Sequence, residues 1–147
     1  MAVCELNDDM VSVKPNTTKI LIDNDRHYSE APYVFYRDGY YYFTWSKNDT
    51  RSADYEVRYV RSKSVGPIDP SESRVVVCKK PDQGIYATGH QSFLQVPGTD
   101  EWYIVYHRFK FPDGITMGRE AGYHREVCMD RVFFNEDGTI KQVVPSL

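Results

Sequence analysis

Ser29-Glu30-Ala31-Pro32-Tyr33-Val34-Phe35 sets one carboxylic acid immediately ahead of a β-rich run, with Arg37-Asp38-Gly39 and the aromatic stretch Tyr40-Tyr41-Tyr42-Phe43 after it. An acid at the mouth of a strand, in a partly desolvated pocket, is suited to protonate a leaving oxygen. The same residues also read as a solvated glutamate at a strand start, and the tetrapeptide leaves both readings open. His27 and Tyr28 lie just upstream; with Trp45 and Tyr86 they are placed by proximity alone as further lining of such a pocket. His107 and His124 alternate with aromatics in strands and read as structural.

Such a group needs a scaffold, and composition restricts its kind. The chain has 147 residues, enough for one ordinary domain with a sizeable core. Apolar residues make up 41% and charged residues 27%, values of a globular protein far from disorder. Twelve Tyr, seven Phe and two Trp favour strands, and aromatics also line sugar-binding surfaces. Core packing accounts for most of them. Net charge is −3 with no basic run, so nucleic acid and anionic membranes find no electrostatic hold. No apolar stretch approaches the roughly 18 residues of a membrane helix, and Met1 to Met10 lacks the order of a signal peptide. Cys4, Cys78 and Cys128 make neither a disulfide framework nor a Cys-x-x-Cys zinc pattern. Each is expected in a strand as a small apolar residue, and a cytoplasmic, reducing compartment is slightly favoured.

Helical periodicity is absent, and short aromatic-rich runs separated by turn signals predict an all-β fold. Three hairpins are expected, turning at Arg37–Gly39, at Pro97–Glu101 and at Asn135–Gly138, where Gly with Asp or Asn supplies positive φ. One set of strands is predicted at 32–36, 40–46, 55–62 and 74–78, and a second at 91–96, 102–109, 123–134 and 138–145. The two sets begin about sixty residues apart, and four strands per unit at that spacing is the pattern of propeller blades. Ala2 to Leu6 and Lys19 to Ile22 are expected as two outer strands of a preceding blade.

Three motifs in order carry a resemblance. Glu30-Ala31-Pro32 followed by the Gly39-Tyr40-Tyr41-Tyr42 strand resembles the general-acid motif of glycoside hydrolase family 43. Gly89-His90-Gln91-Ser92 resembles the family's Gly-His-x-Ser element. Gly122-Tyr123-His124-Arg125-Glu126, running on to Asn135-Glu136-Asp137-Gly138, is similar to the last blade of members acting on arabinofuranosides and xylosides. The resemblance implies a portion of a five-bladed β-propeller, about two and a half blades of four-stranded antiparallel sheets. Residues 1–29 would be outer strands of a preceding blade, 30–85 the blade with the acid motif, and 86–147 the blade with the Gly-His-x-Ser motif. It implies an inverting glycosidase acting on terminal arabinofuranosyl or xylosyl linkages of plant hemicellulose. Glu30 would be the general acid. His90 would lie on the propeller axis near a calcium or other divalent ion; imidazole suits a transition metal and reaches calcium more often through water. Arg125 would bond sugar hydroxyls, with Arg119 a near competitor, and Tyr28 and Trp45 would complete the substrate pocket. A core role for His90 and a pairing of Arg125 with Glu126 or Asp130 remain the alternatives.

The same resemblance predicts something missing. An inverting site of this family uses two aspartates besides the acid, one as general base and one to raise the acid's pKa, both on earlier blades. Only 29 residues precede Glu30, and Asp8, Asp9, Asp23 and Asp25 lack the expected Asp-Pro context. The chain therefore reads as an incomplete enzyme, partnered by arabinose- or xylose-containing oligosaccharides and by an N-terminal complementing half or a second copy. A non-catalytic carbohydrate-binding or self-associating propeller fragment is the alternative.

Overall fold

The computed structural model describes all residues, 1–147. Nine strands form three antiparallel sheets. Strands β1 (Ala2–Val3) and β2 (Lys19–Ile20) pair in a small ribbon. Strands β3 (Glu30–Arg37), β4 (Tyr40–Lys47), β5 (Glu56–Ser62) and β6 (Arg74–Val77) form a four-stranded meander in sequence order. Strands β7 (Gly89–Gln95), β8 (Trp102–Phe109) and β9 (Arg125–Val132) form a three-stranded one.

The expected first hairpin closes with Arg37 opposite Tyr40, across Asp38 (φ 49°) and Gly39 (φ 80°). Two successive positive φ angles make the tight turn whose twist matches that of the strands. The second hairpin also forms, with Gln95 opposite Trp102. The third is short. Gly138 turns the chain with φ 80°, Phe134 bridges Ile140, and the Asn135 and Lys141 N–H groups donate to the Thr139 and Phe133 carbonyls at 2.8 Å each. The tail then leaves this sheet, and the Val143 N–H donates to the Val76 carbonyl at 2.7 Å. In place of the full fourth strand predicted at 138–145, the chain straps across to the other sheet, with Ile140 and Val143 buried in the core between the two. The strand predicted from residue 123 begins at Arg125, after a 3-10 segment over Gly114–Tyr123 that breaks at Gly118. Of the cysteines, only Cys128 lies in a strand; Cys4 is exposed and Cys78 follows β6.

The two larger sheets pack face to face. Phe35, Tyr42, Val57, Tyr59, Val76 and Val77 of the first meet Phe93, Trp102, Ile104, Tyr106 and Val132 of the second. Phe35 stacks on Tyr42 with ring centres 4.6 Å apart and touches Phe93 and Trp102 at 4.8 Å each. Burying such side chains contributes about 1.5–3 kcal/mol apiece. Strand β4 is covered on both faces: Tyr42, Thr44 and Ser46 turn to the second sheet, while Phe43 and Trp45 meet Leu21 and Ile22 of the N-terminal segment. Toward the C-terminal end of β4 the buried seam changes from aromatic to polar, through Thr44, Ser46 and Gln91. No helix is long and apolar enough to cross a membrane.

Candidate active site

The polar end of the seam is built by one backbone device used twice. In β3 the pairing with β4 slips between Glu30 and Tyr33, and Ala31 stands at φ 56°. In β7 the pairing with β8 slips between Gly89 and Ser92, and His90 stands at φ 55°. Each bulge re-aims one side chain away from the strand's regular alternation. Gln91 ties the two together: its Nε2 donates to the Ala31 carbonyl at 3.0 Å and to Thr44 Oγ1 at 2.9 Å. Ser46 Oγ accepts the His90 N–H at 2.8 Å and donates to Gln91 Oε1 at 3.3 Å. These buried groups are satisfied across the seam, so the two bulges are held in one geometry.

That geometry brings Glu30 and His90 together. Glu30 Oε2 lies 4.0 Å from His90 Nδ1, and both side chains are about half exposed, 45% and 57%. Glu30 Oε1 accepts a hydrogen bond from the Tyr55 hydroxyl at 2.8 Å. Burial, reinforced by the Glu30 charge, pushes the Tyr55 phenol well above its ordinary 10, so it remains the donor. A cleft of about 670 Å³ opens beside Glu30, lined by Ser29, Asn48, Thr50, Arg51, Tyr123 and Arg125 among others. Arg125 Nη1 reaches Thr50 Oγ1 at 3.1 Å and His107 Nε2 at 3.0 Å, crossing between the sheets. Burial, then the charges of Arg125 and His90, push the His107 imidazole down to about 4, so neutral His107 accepts from the guanidinium. Its proton then sits on Nδ1, which is buried without a partner.

Arg125 pairs with neither Glu126 nor Asp130: Glu126 meets Arg108 at 3.3 Å, and Asp130 accepts from Tyr106 at 2.6 Å. Arg119 is exposed and outside the cleft lining. Tyr28 packs on Trp45 with ring centres 6.5 Å apart, and its phenol is raised by burial and by the Glu30 charge. Trp45 itself does not line the pocket. It is fully buried with Leu21, Ile22 and Phe43, and its Nε1 donates to the His27 carbonyl at 2.6 Å. An indole on the N-terminal side of β4 finds its hydrogen bond and its apolar contacts there, opposite the cleft. His27 bonds Asp25 at 2.7 Å, and Tyr86 packs beside Tyr55, Ala87 and Phe109. The residues that sequence reasoning passed over are Tyr55, Ser46, Gln91, Thr50 and Arg51. Ser46 and Gln91 were legible as polar residues at alternating core positions of apolar strands.

A divalent ion near His90 has few ligands in this chain. No group of three or more His, Cys, Asp or Glu side chains gathers anywhere. One imidazole and the Glu30 carboxylate fall short of the six to eight oxygens that calcium takes. The residues present do not fit such an ion by themselves, and no chemical step is routed through one.

Glycosyl hydrolases family 43 matches residues 1–140. The chain belongs to that family. It is 34% identical over 142 residues to the beta-D-galactofuranosidase xynD of Aspergillus niger, covering 96% of this chain and 38% of that one. It is 26% identical over 121 residues to a beta-xylosidase of Bacillus subtilis, covering 77% of this chain and 22% of that one. A thermostable family-43 glycoside hydrolase of known structure superposes with a TM-score of 0.75 at 27% identity, covering 99% of this chain and 47% of that one. The chain thus spans well under half the length of the curated relatives it matches. Its sheets are a portion of the family 43 propeller, with the Glu30 and His90 bulges at the starts of β3 and β7.

Proposed function

We propose that this family 43 chain carries the acid side of an inverting glycosidase site for terminal arabinofuranosyl or xylosyl units. The observation that supports this most is the placement of Glu30: its carboxyl is anchored by Tyr55 at 2.8 Å and borders the cleft that Arg125 also lines. In this reading Glu30 protonates the glycosidic oxygen as positive charge develops on the sugar ring. Arg125 offers guanidinium donors to sugar hydroxyls, and its contacts with Thr50 and His107 pre-orient it. His90 stands beside the acid, its Nδ1 4.0 Å from Glu30 Oε2, where it can hold a water molecule. Similarity to a beta-D-galactofuranosidase and to a beta-xylosidase supports furanosyl and xylosyl units as the sugars to test, a galactofuranosyl unit included.

The general base and the modulating carboxylate are not assigned within this chain. Asp49 lines the cleft, but both its oxygens bind Arg51, through Nε at 2.8 Å and Nη2 at 2.6 Å. Asp9 caps its own turn at Val11 and Ser12, and Asp25 holds His27. Retained sugar affinity without turnover is the second reading, supported by Arg51 holding both oxygens of Asp49, the other carboxylate of the cleft lining.

Hydrolysis of aryl α-L-arabinofuranosides, β-D-xylosides and β-D-galactofuranosides, with Glu30→Gln alongside, tests the proposal. Turnover lost in the variant supports Glu30 as acid. Turnover that survives the substitution overturns it. With no turnover in either, chemical-shift mapping with arabino- and xylo-oligosaccharides decides between a sugar site at Glu30, Thr50 and Arg125 and none.

A further inference from the structure

The cleft residues do not explain why a tyrosine buried in the first sheet ends on the Glu30 carboxyl, nor why a glycine precedes His90. Tyr55 is fully buried just ahead of β5, and its hydroxyl is the one hydrogen-bond donor to Glu30. Its ring crosses the seam to lie flat on the second sheet. It stacks on His107 with centres 5.5 Å apart and planes 15° apart. It also covers the backbone of Gly89: a Cβ built there would stand 2.1 Å from Tyr55 Cε1 and 2.3 Å from Cδ1. The glycine has ordinary φ, so space and not backbone conformation requires it. Ser46 and Gln91 close the same seam around the ring.

We infer that Tyr55 is the positioning residue of Glu30, and that Gly89 of the neighbouring sheet is kept small to seat its ring. The acid's aim is therefore set by contact between two sheets and not by its own strand. This inference rests on Glu30 being the proton donor. A carboxyl that is half exposed and held at one oxygen keeps Oε1 fixed and Oε2 available toward His90 and the cleft. Burial holds the Tyr55 proton in place, which keeps the anchor intact across the working pH range.

The test uses Tyr55→Phe, which keeps the ring and removes only the hydroxyl, and Gly89→Ala, which displaces the ring and leaves the hydroxyl. Side-chain order of Glu30, from NMR relaxation of its methylene groups, is the first readout and needs no turnover. Both variants should loosen Glu30, while the amide shifts of Trp45 and Ile104 in the cores stay as in the parent chain. Unchanged Glu30 order in Tyr55→Phe overturns the inference, whatever Gly89→Ala does to folding. Where turnover is measurable, Tyr55→Phe should lower kcat about tenfold to a hundredfold with KM little changed, the pattern of a misaimed group. If Glu30→Gln leaves turnover intact, the acid assignment has failed; if Glu30→Gln abolishes it and Tyr55→Phe changes neither kcat nor Glu30 order, only the positioning role has.

Discussion

The backbone N–H of His90 donates to Ser46 Oγ at 2.8 Å, joining the bulge of one sheet to the buried end of a strand in the other. His90 lies inside the slip of the β7–β8 pairing, so its N–H has no ladder partner and takes this hydroxyl instead. Ser46→Ala should cost about 1–3 kcal/mol by stranding that donor and loosening Gln91. Urea denaturation of the variant measures it, and a loss below a few tenths would show that water replaces the hydroxyl.

The burial of Trp45 against the N-terminal segment is open to a direct test. Trp45→Phe removes the 2.6 Å bond to the His27 carbonyl and some ring volume. Stability should fall by about 2 kcal/mol. Affinity for oligosaccharide should stay at the parent value, since the ring faces Leu21 and Ile22 on the side away from the cleft. Weaker sugar binding in a folded variant would return Trp45 to the substrate pocket.

His107 ties stability to pH. Its folded pKa, about 4, lies below the ordinary 6.5, so between those values the unfolded chain binds the extra proton. The stabilisation from keeping it neutral is complete above about pH 6.5, declines as pH falls, and is gone near pH 4. It amounts to something on the order of 2–3 kcal/mol. The stability gap between the parent chain and His107→Gln should therefore widen from pH 4 to pH 6.5. Parallel pH curves would show that folding leaves the His107 pKa unshifted.

Arg125→Met removes a cation 3.0 Å from His107 Nε2. The His107 midpoint should rise in the variant, as followed by its ring resonances, because one of the charges that hold it down is gone. Oligosaccharide affinity should fall about tenfold, the worth of one charge-assisted hydrogen bond. Arg125→Lys should not restore it, since a point-charge ammonium on a different stem lacks the guanidinium's fixed planar donors, of which Nη1 meets both Thr50 and His107. An unmoved midpoint would leave burial and the His90 charge as the causes.

Local chemistry settled what the sequence could settle alone. Asp38-Gly39 dictates a two-residue turn through positive φ, and the alternating Tyr42, Phe43, Thr44 and Trp45 dictate a strand buried on both sides. The order of Glu30, His90 and Arg125 along the chain carried the family. Contacts between sheets were decided elsewhere. Trp45 turned away from the cleft because the N-terminal segment covers that face of β4. The tail crosses to Val76, where Ile140 and Val143 are buried among core residues of both sheets. Tyr55, 25 residues from Glu30 in sequence, meets it only because Gly89 of another sheet leaves room for the ring. Turn and strand propensities act over a few neighbours, whereas a seam between sheets sums contacts from residues far apart, and only the folded chain brings those into register.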